Sequence, residues 1–182
     1  MENLTIEELH SLRLAIFENA ENLQKEASLL FNNQMFSRAY LLAYFCCEEL
    51  GKIPIIVGAI AKLQSNENID WKKLKKRFYN HTKKISSQNH HYYVFGMKID
   101  LQNNSDVKWL ETAENLVQTS FEKKNLATYV DVKNKKILHP LKEINKNETE
   151  KLISFAFQCL KAHWHSELLT NPILKKDANK TE

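Results

Sequence analysis

From residue 6 to residue 31, apolar side chains return every three or four positions: Leu9, Leu12, Ile16, Ala20, Leu23, Ala27 and Leu30. That period places them on one face of an α-helix. Thr5 and Glu8 stand three apart just ahead of the stripe, the spacing of a capping box. A long amphipathic helix over about residues 6–31 is predicted, ended by Asn32 and Asn33. The next segment, 34–64, is apolar nearly all the way round, as befits a helix enclosed by others. Pro54 lacks an N–H, so a kink that frees the carbonyl of Leu50 is expected there. Gly51, just before it, allows another backbone to come close.

A loop over 65–69 leads to Asp70, a helix cap. Trp71, Leu74, Phe78, His81 and Ile85 then form the inward stripe of a third helix. Ser86 to Asn89 read as an interruption, and Tyr92 to Phe95 are apolar again. A polar segment from Asp100 to Ser105 precedes a fourth helix, over about 106–123. Residues 126–139, LATYVDVKNKKILH, look extended, with a short hairpin over Lys133 to Lys136. Asn147 is expected to cap a last helix running to about 169, and 171–182 reads as a polar tail. There is no internal repeat. The pattern predicts one all-α domain over 1–170, a bundle of about five long helices.

Composition supports this. Hydrophobic residues make up 43% of 182, enough for a core, and 3 Gly with 3 Pro are too few for the turns of a large sheet. The net charge of +4 is mild, and 23 Lys against 3 Arg is not the balance of a surface selected for bidentate phosphate contacts. Local clustering must therefore carry any nucleic-acid reading, and DNA is not expected as a partner. The longest apolar run, Ile53 to Ala61, is far below the roughly 18 residues of a membrane span. The acidic, amphipathic start MENLTIEELH does not resemble a secretory leader, so a cytoplasmic protein is expected. Cys46, Cys47 and Cys159 lack metal or redox spacing and read as small buried hydrophobes.

Two charged clusters interrupt the apolar pattern. Glu48 and Glu49 lie four and three residues before Lys52, within side-chain reach on a helix. Arg38, eleven residues before Glu49, falls on the same stripe. Burying such charges costs several kcal/mol unless they are paired, so they form either a structural ion-pair cluster or a functional site. The second cluster is WKKLKKRFYNHTKK, residues 71–84, in which seven of fourteen residues are Lys or Arg. Most of those lysines read as a solvated face. His81 takes its turn in the apolar stripe and must point inward or into a cleft, either as a core histidine bonded to a buried acid or as a reactive one. On a continuous helix, Arg77 and Lys84 share its edge. If the second and third helices pack antiparallel, Glu48 or Glu49 faces His81. Carboxylate, imidazole, guanidinium and ammonium together suit phosphodiester cleavage, and equally a non-catalytic site for a nucleotide or acidic peptide. His163 and Glu167, four apart, are a weak metal pair, and HWHSE at 163–167 reads as helix-end surface. No metal or other cofactor is called for.

SRAYLLAYFCCEELGK (37–52) resembles the segment that marks the AbiV family of type V abortive-infection proteins, in which an apolar helix runs into Glu-Glu-x-Gly-Lys. RFYNHTKKI (77–85) and LATYVDV, ending at His139-Pro140, resemble that family's later elements, in the same order. The resemblance implies a HEPN-type helical fold and phage defence by acting on RNA or the translation apparatus. It also implies a homodimer, and a phage-encoded activator is a possible further partner. It suggests metal-independent ribonuclease chemistry from an Arg-x4–6-His motif, with Arg77 and His81 in that role and Glu48 or Glu49 as supporting acid. Lys84, Lys52 and Arg38 would contact phosphate. Here only three residues separate Arg77 from His81, a departure from the motif. The rival reading is a non-catalytic helical module that binds a phage or host protein, or a nucleotide, through the same polar cleft.

Overall fold

The structure is a computed structural model and describes residues 2–97 and 105–174. Its first helix, α1 (Ile6–Asn32), starts at the predicted capping box: the Thr5 hydroxyl accepts from the Glu8 N–H, and the Glu8 carboxylate accepts from the Thr5 N–H. The enclosed segment forms α2 (Phe36–Leu50) and α3 (Lys52–Gln64). Then come α4 (Trp71–Tyr79), α5 (His81–Phe95), α6 (Ser105–Asn115) and α7 (Val117–Thr128). A hairpin of β1 (Asp131–Lys133) and β2 (Lys136–Leu138) leads to α8 (Pro140–Glu143) and the long α9 (Lys146–Thr170).

The five expected rods are present, and three of them are broken. The second breaks at Gly51, the third at Asn80 and the fourth at Leu116. The kink expected at Pro54 falls instead at Gly51, which leaves Pro54 in the first turn of α3, where its missing N–H costs nothing. Asn80 adopts an extended backbone (φ −79°, ψ 117°), and its side chain accepts from the Lys83 N–H, so α5 is a new helix with His81 as its first residue. Ser86 to Asn89, expected as an interruption, lies inside α5, and three of these four side chains are buried.

Helix α7 runs to Thr128, further than predicted, so the extended stretch is shorter than 126–139. The hairpin sits where predicted, turning through Asn134 and Lys135, both at positive φ (52° and 63°). Asn145, not Asn147, caps α9, its side chain accepting from the Glu148 N–H. The expected tail begins at Asn171, whose side chain is buried and donates to Glu167 and to the His10 carbonyl. Residues 175–182 and all but the last residue of the polar segment expected at 100–105 lie outside the described residues; Ser105 opens α6.

Helix α2 is the axis of the bundle, packed by α1, α9, α5, α7 and α3. This explains why it is apolar on nearly every side. Tyr44, Cys46, Leu50, Ile53 and Ile56 are fully buried, each large aliphatic contributing about 1.5–3 kcal/mol through loss of hydrated surface. Leu9, Ala20 and Ala27 of α1 and Ala156 and Cys159 of α9 close the same core. All three cysteines are buried and free, as read from their spacing, and burial raises the Cys46 and Cys159 thiols well above their usual range. No helix among the described residues is long and apolar enough to cross a membrane.

Candidate functional site

Three breaks and one close contact assemble the site. Gly51, at the junction of α2 and α3, lets the Lys84 carbonyl of α5 come within 2.0 Å of where a Cβ would stand. That approach sets the first turn of α5 against the last turn of α2. Glu48 there is buried within the bundle, with 4% of its side chain exposed, and faces two donors of α5. His81 Nδ1 lies 2.7 and 2.8 Å from its two carboxylate oxygens, and Lys84 Nζ lies 2.7 Å from Oε2.

The arrangement has a definite chemical sense. A carboxylate only accepts hydrogen bonds, so the proton of the neutral imidazole sits on Nδ1 and Nε2 presents its lone pair. The His81 side chain is 46% exposed, which leaves that second nitrogen to the surroundings. A histidine held by an acid at one nitrogen and open at the other can take up or deliver a proton. The Lys84 ammonium offsets the charge of Glu48, which would otherwise be costly so far from water. His81 is also the first residue of a helix, where the macrodipole favours an anion.

Helix α7 supplies two residues that the sequence did not single out. Phe121 flanks the His81 ring at 5.5 Å between centroids, and the Lys124 ammonium lies 4.4 Å from the Phe121 ring centroid. Lys124 is buried and makes no ion pair with a carboxylate among the described residues. Of the two buried lysines, Lys84 is occupied by Glu48, whereas Lys124 reaches the site only through the Phe121 ring that both it and His81 contact. No one-dimensional signal marks Lys124, which sits in a run of polar residues. Only its three-residue offset from Phe121 hints at a shared face.

The other predicted residues are placed as follows. Glu49 pairs with Lys52, not with His81, and Lys52 also lies 5.1 Å from the Phe78 ring centroid. Arg38, expected on the stripe of Glu49, is exposed and reaches the Thr128 carbonyl at the end of α7 instead. Arg77 was expected to share a helical edge with His81 and Lys84. The break at Asn80 removes that continuity, and Arg77 sits exposed in the last turn of α4, lining a separate cavity. Within one chain the structure thus joins His81, Glu48 and Lys84 and leaves Arg77 and Arg38 elsewhere.

A second polar network fills the far end of the bundle. Glu167, buried in α9, takes two hydrogen bonds from Arg13 of α1, one from Nε at 3.0 Å. His163 is fully buried, with Nε2 2.8 Å from Gln88 Oε1, and its ring stacks on His91 at 3.6 Å. The HWHSE segment is therefore not a helix-end surface: His163, Ser166 and Glu167 all point inward. Burial holds the His91 imidazole down to about 4, with the Arg13 charge adding to it, and holds His163 well below its usual range. His163 and Glu167 share no metal cluster, and no group of three or more potential ligands occurs among the described residues. The adjacent pair divides as helical geometry requires: His90 is exposed and bonds the Ser86 carbonyl, whereas His91 is buried.

Comparison with known proteins agrees with this fold. No curated protein and no solved structure was found to match the chain. The family model for the AbiV domain of the HEPN class matches residues 8–161, which spans α1 through most of α9 and includes every residue of the His81 site. The chain belongs to the AbiV family.

Proposed function

We propose that this protein is an abortive-infection effector that acts on RNA, with His81 as the acid/base of a metal-independent phosphodiester cleavage. The observation that carries the reading is the His81–Glu48 pair: an imidazole oriented by a buried carboxylate through Nδ1, its Nε2 left open. In cleavage by the adjacent 2′-hydroxyl, Nε2 takes the hydroxyl proton as the oxygen attacks phosphorus. The leaving 5′-oxygen then takes a proton from the His81 imidazolium, which restores the neutral imidazole. Glu48 positions the ring and stabilises the imidazolium, and Lys124 with the first turn of α5 offsets the charge on phosphate. Arg77 comes from outside this constellation. In the dimer implied by the family, a second copy would bring its Arg77 to the first copy's His81.

A second reading is favoured by one observation: Glu48, His81 and Lys84 already satisfy one another. On that reading the cluster locks α2 to α5, and the protein works by binding a phage or host protein. The test is incubation of purified protein with total RNA in chelator, alone and with infected-cell extract, beside His81→Ala and Arg77→Ala. Cleavage that disappears in both variants supports the enzyme. Absence of cleavage in both conditions, with phage resistance surviving in the His81→Ala strain, leaves the binding module.

A further inference from the structure

A cavity of about 760 Å³ opens where α3, α4 and α5 meet, and four cationic side chains line it: Lys73, Lys76 and Arg77 from α4 and Lys83 from α5. None of the four pairs with a carboxylate among the described residues, and no acid lines the cavity. Two acids bond residues of its lining: Asp70, which caps α4 and accepts from the Lys73 N–H at 2.8 Å, and Glu114 of α6, which accepts from Ser86 and Asn89 and stands 3.7 Å from His90 Nδ1. Below the rim the wall is polar and buried, made by Ser87 and His91. His91 has an Nδ1 buried without a partner among the described residues. Its Nε2 contacts Ser166 Oγ, which already donates to the His163 carbonyl.

Four like charges held around one concavity repel one another, and an anion relieves that repulsion. The volume falls within the about 300–1,000 Å³ range of small-molecule sites. The cavity is also distinct from the His81 site. On α5 the residues toward Glu48 are His81 and Lys84, whereas Lys83, Ser86, Ser87 and His90 line the cavity. At about 100° per residue Lys83, Ser86 and His90 turn away from His81, and His91 and Phe95, which return toward its face, lie about three to four turns further along α5.

We propose that this cavity is a phosphate-binding site for a ligand carrying at least two phosphate groups. Lys73, Lys76 and Lys83 hold the phosphates, and Phe95, on the wall beside His91 at 4.8 Å between ring centroids, offers an apolar face to the rest of the ligand. The phosphates belong either to an RNA strand or to a free polyphosphate compound. The first source rests on the proposed action on RNA and extends it; the second does not.

The experiment measures binding, not cleavage, so it stands apart from the test of the enzyme. Full-length His81→Ala protein, which keeps the cavity intact, is titrated with a labelled single-stranded RNA of about ten nucleotides, within the usual span of a single-strand groove. A parallel titration uses inorganic tripolyphosphate. The Lys76→Ala/Lys83→Ala variant is compared with Lys72→Ala/Lys75→Ala, which removes two charges from α4 outside the cavity. The expected result is a loss of about tenfold or more, equal to about 1.4 kcal/mol, in the cavity variant only. Its RNA salt slope falls by about 0.7 for each lost contact. Tripolyphosphate that displaces RNA assigns the site to the strand backbone, and tripolyphosphate that binds without displacing RNA assigns it to a free polyphosphate. Equal losses in the two variants, unchanged affinity in the cavity variant, or no saturable binding of either probe overturns the proposal. Circular-dichroism melting checks that each variant is folded.

Discussion

A Cβ on Gly51 would stand 2.0 Å from the carbonyl oxygen of Lys84. That contact is backbone on backbone, so no side-chain rotation relieves it. Gly51→Ala is therefore expected to push α5 away from α2 and destabilise the protein by about 1–3 kcal/mol, the range for overpacked sites. Urea unfolding measures the loss. The same variant loosens the Glu48–His81 bond, so any His81-dependent activity falls with it.

Glu48 accounts for both His81 and Lys84, and its removal leaves the buried ammonium without a counterion. Glu48→Ala is expected to cost about 3–5 kcal/mol, the range for breaking a buried pair. Glu48→Gln keeps the shape but loses the charge that fixes the imidazole proton on Nδ1. Nitrogen-15 NMR of the imidazoles reads this directly. In the native protein the His81 Nδ1 resonance is that of a protonated nitrogen, and in Glu48→Gln the two tautomers mix. An unchanged spectrum would remove the orienting role of Glu48.

Lys124 lies over Phe121 without an acid. Lys124→Met keeps most of the buried stem and removes the charge, so the folded state survives. If the protein cleaves RNA, the rate falls by about 10²-fold or more, as for loss of one group stabilising the transition-state charge. The Tm should move little. A variant with unaltered cleavage and lowered Tm would make Lys124 purely structural.

Acid should weaken the fold through the stacked histidines. In the unfolded chain both imidazoles titrate near 6.5, whereas burial in the folded chain lowers His91 to about 4 and holds His163 well below its usual range. Between those values the unfolded chain binds more protons than the folded one, so stability is full above about pH 6.5 and declines as the pH drops toward 4. His91 alone accounts for a loss on the order of 3 kcal/mol as the pH falls from 6.5 to about 4, at about 1.4 kcal/mol per unit of displacement. Urea midpoints at pH 7.5 and pH 5 measure the decline, and His163→Gln should flatten it.

The hairpin turn carries a smaller, opposite effect. Lys135 holds φ 63° with a side chain attached. Lys135→Gly removes a left-handed penalty of about 1 kcal/mol, partly offset by the greater freedom of glycine in the unfolded chain. A rise in Tm of a few degrees or less is expected, and a fall would show that the Lys135 side chain stabilises the turn.

Much of the bundle was legible along the chain because its signals are local. Thr5 and Glu8 cap α1 through bonds that span three residues, and the Asn134–Lys135 turn lies between two short strands that pair only with each other. The breaks were harder to read. Apolar spacing continues across Asn80, since Phe78 and Ile85 both reach the core. Periodicity records spacing, not the extended dihedrals by which Asn80 ends one helix and begins another. Arg77 was misplaced for that reason. Asn145 and Asn147 are equivalent as capping residue types, and the choice between them depends on where α8 delivers the chain.

By itself the sequence determined the all-α class, the five rods, the enclosed α2 and the need for partners to Glu48 and His81, because these follow from composition, periodicity and the cost of burying charge. Tertiary structure alone decided that Glu48 and not Glu49 meets His81, that Phe121 of α7 flanks the imidazole, and that Arg77 lines a cavity without His81. The reason is geometric. Glu48 and His81 are 33 residues apart, and their meeting depends on how closely α5 can approach α2, which Gly51 sets by having no side chain.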